Sequence, residues 1–149
     1  MSISSVFDSG IRKRACPPAV RGKASGKIFV VDDEAPIVEL LAAVLKTSGY
    51  SVDVSTDSTE ALAMISENPQ SYDLLLTDLN MPHISGVELI QELRGGGFTG
   101  KIVMHSGSLQ GDEESLMKTM GVDAILHKPA AMASILSIVR MVMAQSRKC

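Results

Sequence analysis

From residue 27 onward, five short runs rich in branched apolar residues alternate with segments of helical spacing. The runs are 28–32 (Ile-Phe-Val-Val-Asp), 51–55 (Ser-Val-Asp-Val-Ser), 73–78 (Asp-Leu-Leu-Leu-Thr-Asp), 101–106 (Lys-Ile-Val-Met-His-Ser) and 124–128 (Ala-Ile-Leu-His-Lys). The first, third and fourth are nearly continuous in apolar residues, which suits parallel strands covered on both faces. The second alternates, which suits an edge strand. Between the first two runs, Ile37, Leu40, Leu41, Val44 and Leu45 recur at helical spacing, with Pro36 near the start and Gly49 as a stop. Asp57 with Glu60, and Ser85 with Glu88, have the spacing of capping boxes and predict the starts of two further helices. A fourth helix is predicted over about 112–120, with Leu116, Met117 and Met120, and a fifth over about 131–146.

Strand–helix alternation five times over, with short links, predicts an α/β fold: a doubly wound parallel sheet with helices on both faces. Residues 1–26 lack any sustained period and predict a flexible leader before a single domain over 27–149. In such sheets the ligand crevice lies beyond the carboxyl ends of the strands. Those ends carry Asp32-Asp33-Glu34, Asp78, Ser106-Gly107 and His127-Lys128-Pro129. Carboxylates brought to one rim repel unless positive charge is present. Lys128 supplies one charge, and a hard divalent cation such as Mg²⁺ would supply the rest. A cation beside a carboxylate with an ammonium opposite is an arrangement for phosphoryl transfer. Asp78 is the natural nucleophile, since carboxylates form acyl phosphates, and Ser106 can hydrogen-bond a phosphoryl oxygen.

Composition narrows the classes. The chain of 149 residues is 45% hydrophobic and 21% charged, a globular balance, and no apolar run approaches a membrane span of about 18 residues. A net charge of −3 and an aromatic content of 3% argue against a nucleic-acid surface. The leader is locally basic, with Arg12, Lys13, Arg14, Arg21 and Lys23 against Asp8, so the rest is more acidic than the total suggests. Cys16 and Cys149 make no disulfide framework, and a reduced cytoplasmic setting is expected.

The segments Val-Val-Asp-Asp-Glu (30–34), Leu-Leu-Thr-Asp-Leu-Asn-Met-Pro (75–82) with Gly86, Ser106-Gly107 and His127-Lys128-Pro129 resemble the receiver domain of two-component response regulators. The resemblance implies a flavodoxin-like sheet of order 2-1-3-4-5 with five helices. It implies Asp78 as phosphoacceptor and Asp33 as a direct Mg²⁺ ligand. Asp32 would act mostly through water, and Asn80 would contribute its backbone carbonyl. It further implies Lys128 on the phosphoryl group, Ser106 turning inward on phosphorylation, and a cis bond before Pro129. The expected partners are a histidine kinase or phosphotransfer protein and a downstream protein target, with no membrane. The expected activity is that of a stand-alone switch that modifies only itself, not a turnover enzyme.

One position departs from the pattern: Ile125 stands where the family often has an aromatic, so a different in–out switch is expected. The apolar last helix, with Met132, Met141 and Met143, is a candidate contact face for a partner or a second copy. A Mg²⁺-dependent phosphohydrolase is the alternative from another class, but it wants a second carboxylate two residues after the nucleophile, where Asn80 stands. A phosphorylation-independent module would not need the acidic trio. His105 and His127 read as structural, and His83 as a loop residue near the site. Gly95–Gly100 matches a dinucleotide fingerprint in the wrong context, after a helix and before a strand.

Overall fold

The computed structural model describes residues 25–107 and 111–145. Most of the basic leader, and both cysteines, lie outside the described residues. Five strands alternate with five helices: β1 (Lys27–Val31), α1 (Ala35–Thr47), β2 (Ser51–Ser55), α2 (Ser58–Glu67), β3 (Leu74–Asp78), α3 (Gly86–Gly95), β4 (Lys101–Ser106), α4 (Gly111–Thr119), β5 (Ala124–His127) and α5 (Met132–Ala144). The strands form one sheet of order β2-β1-β3-β4-β5, and every pairing is parallel.

Strand alternation splits the core into two layers. Phe29, Val31, Leu75, Ile102 and Met104 pack with α2, α3 and Met117 of α4. Ile28, Val30, Leu74, Leu76, Val103 and Leu126 pack with α1 and α5 on the other face. β3 lies at the centre and is buried along its whole length, which explains its unbroken apolar run. β2 lies at the edge, where Val52 is buried and Val54 exposed.

The helix boundaries follow local chemistry. Pro36 sits in the first turn of α1, where amides lack helical partners. Gly49, at φ 109°, ends it as expected of a left-handed stop. The buried stripe of α1 is Val38, Leu41, Ala42 and Leu45, so Leu40, expected on the apolar face, is 49% exposed. The Ser85–Glu88 capping box is complete. The Asp57–Glu60 box is only half made: Asp57 accepts from the Thr59 N–H, while Glu60 turns to the Ser55 hydroxyl at 2.6 Å.

α4 buries Met117 alone, and Leu116 is 46% exposed. On α5, Ile135, Val139 and Val142 are buried, and Met132, Leu136, Ile138 and Met143 are partly buried against the same core. Among the large apolar residues of α5 only Met141 is exposed, so the helix spends its apolar girth on the core and the described residues show no broad contact stripe. No helix among the described residues is long and apolar enough to cross a membrane.

Candidate functional site

Parallel pairing brings the carboxyl ends of β1, β3, β4 and β5 to one rim. Asp32 follows β1 directly and is 2% exposed, whereas the next residue, Asp33, is exposed. Asp78 is the last residue of β3 and is also buried. Each of Asp32, Asp33 and Asp78 offers a carboxylate oxygen, and these oxygens lie within 4.8 Å of one another.

Lys128, one residue beyond β5, reaches into this group. Its Nζ donates to Asp32 Oδ2 at 3.0 Å and to Asp78 Oδ2 at 3.2 Å, and lies 3.5 Å from Glu34 Oε1. The lysine is positioned by its own backbone, whose N–H donates to the Ser106 carbonyl at 2.8 Å; the bond to Pro129 is cis. The other carboxylate oxygens are also held: Asp32 Oδ1 accepts from the Glu34 N–H at 3.0 Å, and Asp78 Oδ1 from the Leu79 N–H at 2.7 Å.

The charge on this rim is not balanced by its protein partners. Burial and the neighbouring Asp32 push the Asp78 pKa above its ordinary value, and Lys128 and the Leu79 amide only partly oppose them. Burial works against the Lys128 charge, but its bonds to Asp32 and Asp78 outweigh that and hold its pKa up. His105 is the register partner of Asp78 on β4, so its side chain leaves the sheet on the same side. It is 5% exposed, and neither ring nitrogen has a hydrogen-bond partner among the described residues. Burial, then Lys128, lowers its pKa, so at neutral pH His105 adds no second positive charge.

The remaining expected site residues fall around this centre. Ser106 ends β4, wholly buried, in register with His127. Asn80 lies two residues past Asp78, exposed, in a loop closed by the Gly86 N–H on the Leu79 carbonyl at 2.7 Å. Gly86 is needed there, since a Cβ would come within 2.4 Å of the Asp78 carbonyl oxygen. Ile125 is half-buried and borders a cleft of about 450 Å³ between α4 and β5, which Glu114, Lys118, Val122 and His127 also line. His127, expected to be a structural strand residue, is instead exposed and 3.1 Å from Glu114. It is the last residue of an edge strand, and α4 covers it only in part.

Two residues escaped the sequence reading of the site. Glu34 stands among the strand-end acids, but nothing in the sequence places it beside Lys128. Ser58, buried at the start of α2, bonds the loop after Asp78. No sequence signal marks it, because a serine in a helix's first turn reads as local capping chemistry.

The donor set fits a hard divalent cation. Three carboxylates at this spacing are compatible with octahedral Mg²⁺, whose opposed ligands stand about 4.2 Å apart when each bond is about 2.1 Å. All the groups are oxygen, and the soft or imidazole ligands of zinc are absent from the cluster.

Comparison with known proteins is consistent with this geometry. The response regulator MprA of Mycobacterium tuberculosis is 34% identical over 124 residues, 83% of this chain and 53% of that protein. The chain thus spans about half the length of the curated relatives it matches. Among solved structures, a response regulator receiver domain protein from Clostridium thermocellum superposes with a TM-score of 0.73 at 27% identity, covering 79% of this chain and 94% of that one. The chemotaxis protein CheY4 of Vibrio cholerae does so with a TM-score of 0.72 at 26% identity, covering 80% and 99%. Residues 28–140 match the family model of the response regulator receiver domain, and with the 2-1-3-4-5 sheet and the motifs at its strand ends they make this chain a member of that family.

Proposed function

We propose that the chain accepts a phosphoryl group on Asp78 from a phosphohistidine of a kinase or phosphotransfer protein, with Mg²⁺ held by Asp32, Asp33, Asp78 and the Asn80 carbonyl. The observation that carries this reading is the convergence of two buried aspartates and an exposed one, with the Lys128 ammonium on the two buried ones. A carboxylate oxygen of Asp78 attacks phosphorus in line, the phosphorus–nitrogen bond of the donor breaks, and the leaving imidazole takes up a proton from solvent. Lys128, already placed at both Asp32 and Asp78, stabilises the negative oxygens that the transfer brings to the rim. Burial raises the basicity of the Asp78 carboxylate, and Lys128 partly opposes its protonation. When bound, Mg²⁺ supplies the charge neutralisation that Lys128 alone does not complete.

The acyl phosphate carries a charge of about −1.5 to −2 beside Lys128 and Ser106, about one unit more negative than the carboxylate it replaces. Lys128 leaves Asp78 for the new oxygens, and Ser106 donates to one of them. The α4–β5–α5 face then changes its affinity for a downstream target. Its lightly anchored α4 and the cleft beside Ile125 give that face room to rearrange. The protein catalyses only its own phosphorylation and dephosphorylation.

Intact-mass analysis with a small acyl phosphate and Mg²⁺ tests the proposal. The expected result is a gain of one phosphoryl group in the wild type and none in Asp78→Asn. An unmodified wild type, or equal modification of the variant, overturns it.

A further inference from the structure

The loop between β3 and α3 carries Asn80 and begins at the phosphoacceptor. Its base is closed by the Gly86 N–H on the Leu79 carbonyl and by the contact of Gly86 with the Asp78 carbonyl. Its far side is a tight turn: the Ile84 N–H donates to the Pro82 carbonyl at 2.9 Å, around His83 at φ 71°. This is the geometry of the uncommon, strained form of the γ-turn, and a histidine at its apex takes up a conformation that favours glycine. Left to itself, such a turn relaxes, and the loop that holds Asn80 relaxes with it.

A hydroxyl from a different element meets the same two groups. Ser58 Oγ donates to the Pro82 carbonyl at 3.0 Å and accepts from the Ile84 N–H at 3.2 Å. Ser58 is 1% exposed and stands in the first turn of α2. That turn is itself fixed, with Asp57 capping the Thr59 N–H and Ser55 bonded to Glu60 and to the Asp57 N–H. A hydroxyl can donate and accept at once, which matches a carbonyl and an amide side by side.

We infer that Ser58 is a positioning residue for the site: its hydroxyl clasps the strained turn at His83 and so holds Asn80 in place for cation binding beside Asp78. The inference rests on the metal reading of the rim given above. It adds that the readiness of the site is set partly from α2, an element that contributes no group to the rim itself.

Calorimetric titration of the full chain with Mg²⁺ tests it, alongside melting curves without Mg²⁺. Ser58→Ala is expected to bind Mg²⁺ roughly five-fold more weakly, the worth of one typical hydrogen bond. Ser58→Thr keeps the hydroxyl and is expected to keep wild-type affinity, even where its added methyl lowers the melting temperature. Adding His83→Gly to Ser58→Ala removes the penalty at the turn and is expected to recover affinity to within about two-fold of wild type. Wild-type affinity in Ser58→Ala overturns the clasp, and so does a loss that His83→Gly leaves unchanged. A wild type that takes up no Mg²⁺ overturns the metal reading and the clasp together, which separates that failure from failure of the clasp alone.

Discussion

The two ends of the same sheet treat charge in opposite ways. At the amino end, Lys27 lies 3.6 Å from Asp53 and over the Tyr72 ring, while the Tyr72 hydroxyl donates to Asp53. Asp73 accepts from the Lys27 N–H, and Asp123 from the Ile102 N–H. Arg94 donates to the carbonyls of Phe98, Gly100 and Gly121, tying two loops together. Each of these charges meets an opposite charge or a polar group of the chain. At the carboxyl end, Asp32, Asp78 and Glu34 share Lys128 beside the exposed Asp33, burial and Asp32 push the Asp78 pKa up, and the buried His105 has no hydrogen-bond partner among the described residues. One end is finished by the fold, and the other, on the function proposed above, is completed by a ligand. Strain and unbalanced charge of this kind persist where function requires them.

Changes at each end separate these roles. The largest loss of stability is expected at the finished end: Arg94→Ala removes three charge-assisted bonds and costs about 3 kcal/mol in denaturant unfolding, with Mg²⁺ affinity unchanged. Lys128→Ala strips the rim of its ammonium and costs about 2 kcal/mol without Mg²⁺, a loss expected to shrink at saturating Mg²⁺.

Asp78→Asn has the opposite sign. The folded-state pKa of Asp78 lies above its ordinary 3.8, so the fold holds that proton more tightly than the unfolded chain does. Its favourable contribution is complete below 3.8 and is lost as pH rises through the raised value. The variant is therefore expected to be more stable than wild type above that window, and equal to it below, in unfolding measured against pH without Mg²⁺. Tyr72→Phe is the smallest change, a loss of about 0.5 to 1 kcal/mol with no effect on Mg²⁺ or phosphoryl uptake. A Tyr72→Phe variant that weakened Mg²⁺ binding would break the division between the two ends.

The legibility of the sequence follows the same division. The strands of the core were readable because burial on both faces leaves an unbroken apolar run, as in Leu74–Leu76, and edge position leaves alternation, as in β2. Asp32, Asp33, Asp78 and Lys128 were readable because parallel strands deliver their ends to one place, whatever the loops do. Leu40 was misplaced because helical spacing alone does not say where the buried stripe is centred; the packing of α1 against the sheet decides that. Ser58 and Arg94 were invisible because each acts on backbone carbonyls far along the chain, and a backbone group carries no sequence signature. The exposure of His127 depends on how much of β5 α4 covers, which the short, polar pattern of α4 does not specify.

The central claim is that the one ammonium of the carboxyl rim does not balance its carboxylates and that a divalent cation completes it. Thermal and denaturant unfolding of the wild type with and without Mg²⁺ measures this most directly, with Asp33→Asn as the control. At Mg²⁺ ten times its dissociation constant the wild type is expected to gain about 1.4 kcal/mol, and Asp33→Asn much less. A wild type whose unfolding is indifferent to Mg²⁺ would contradict the claim.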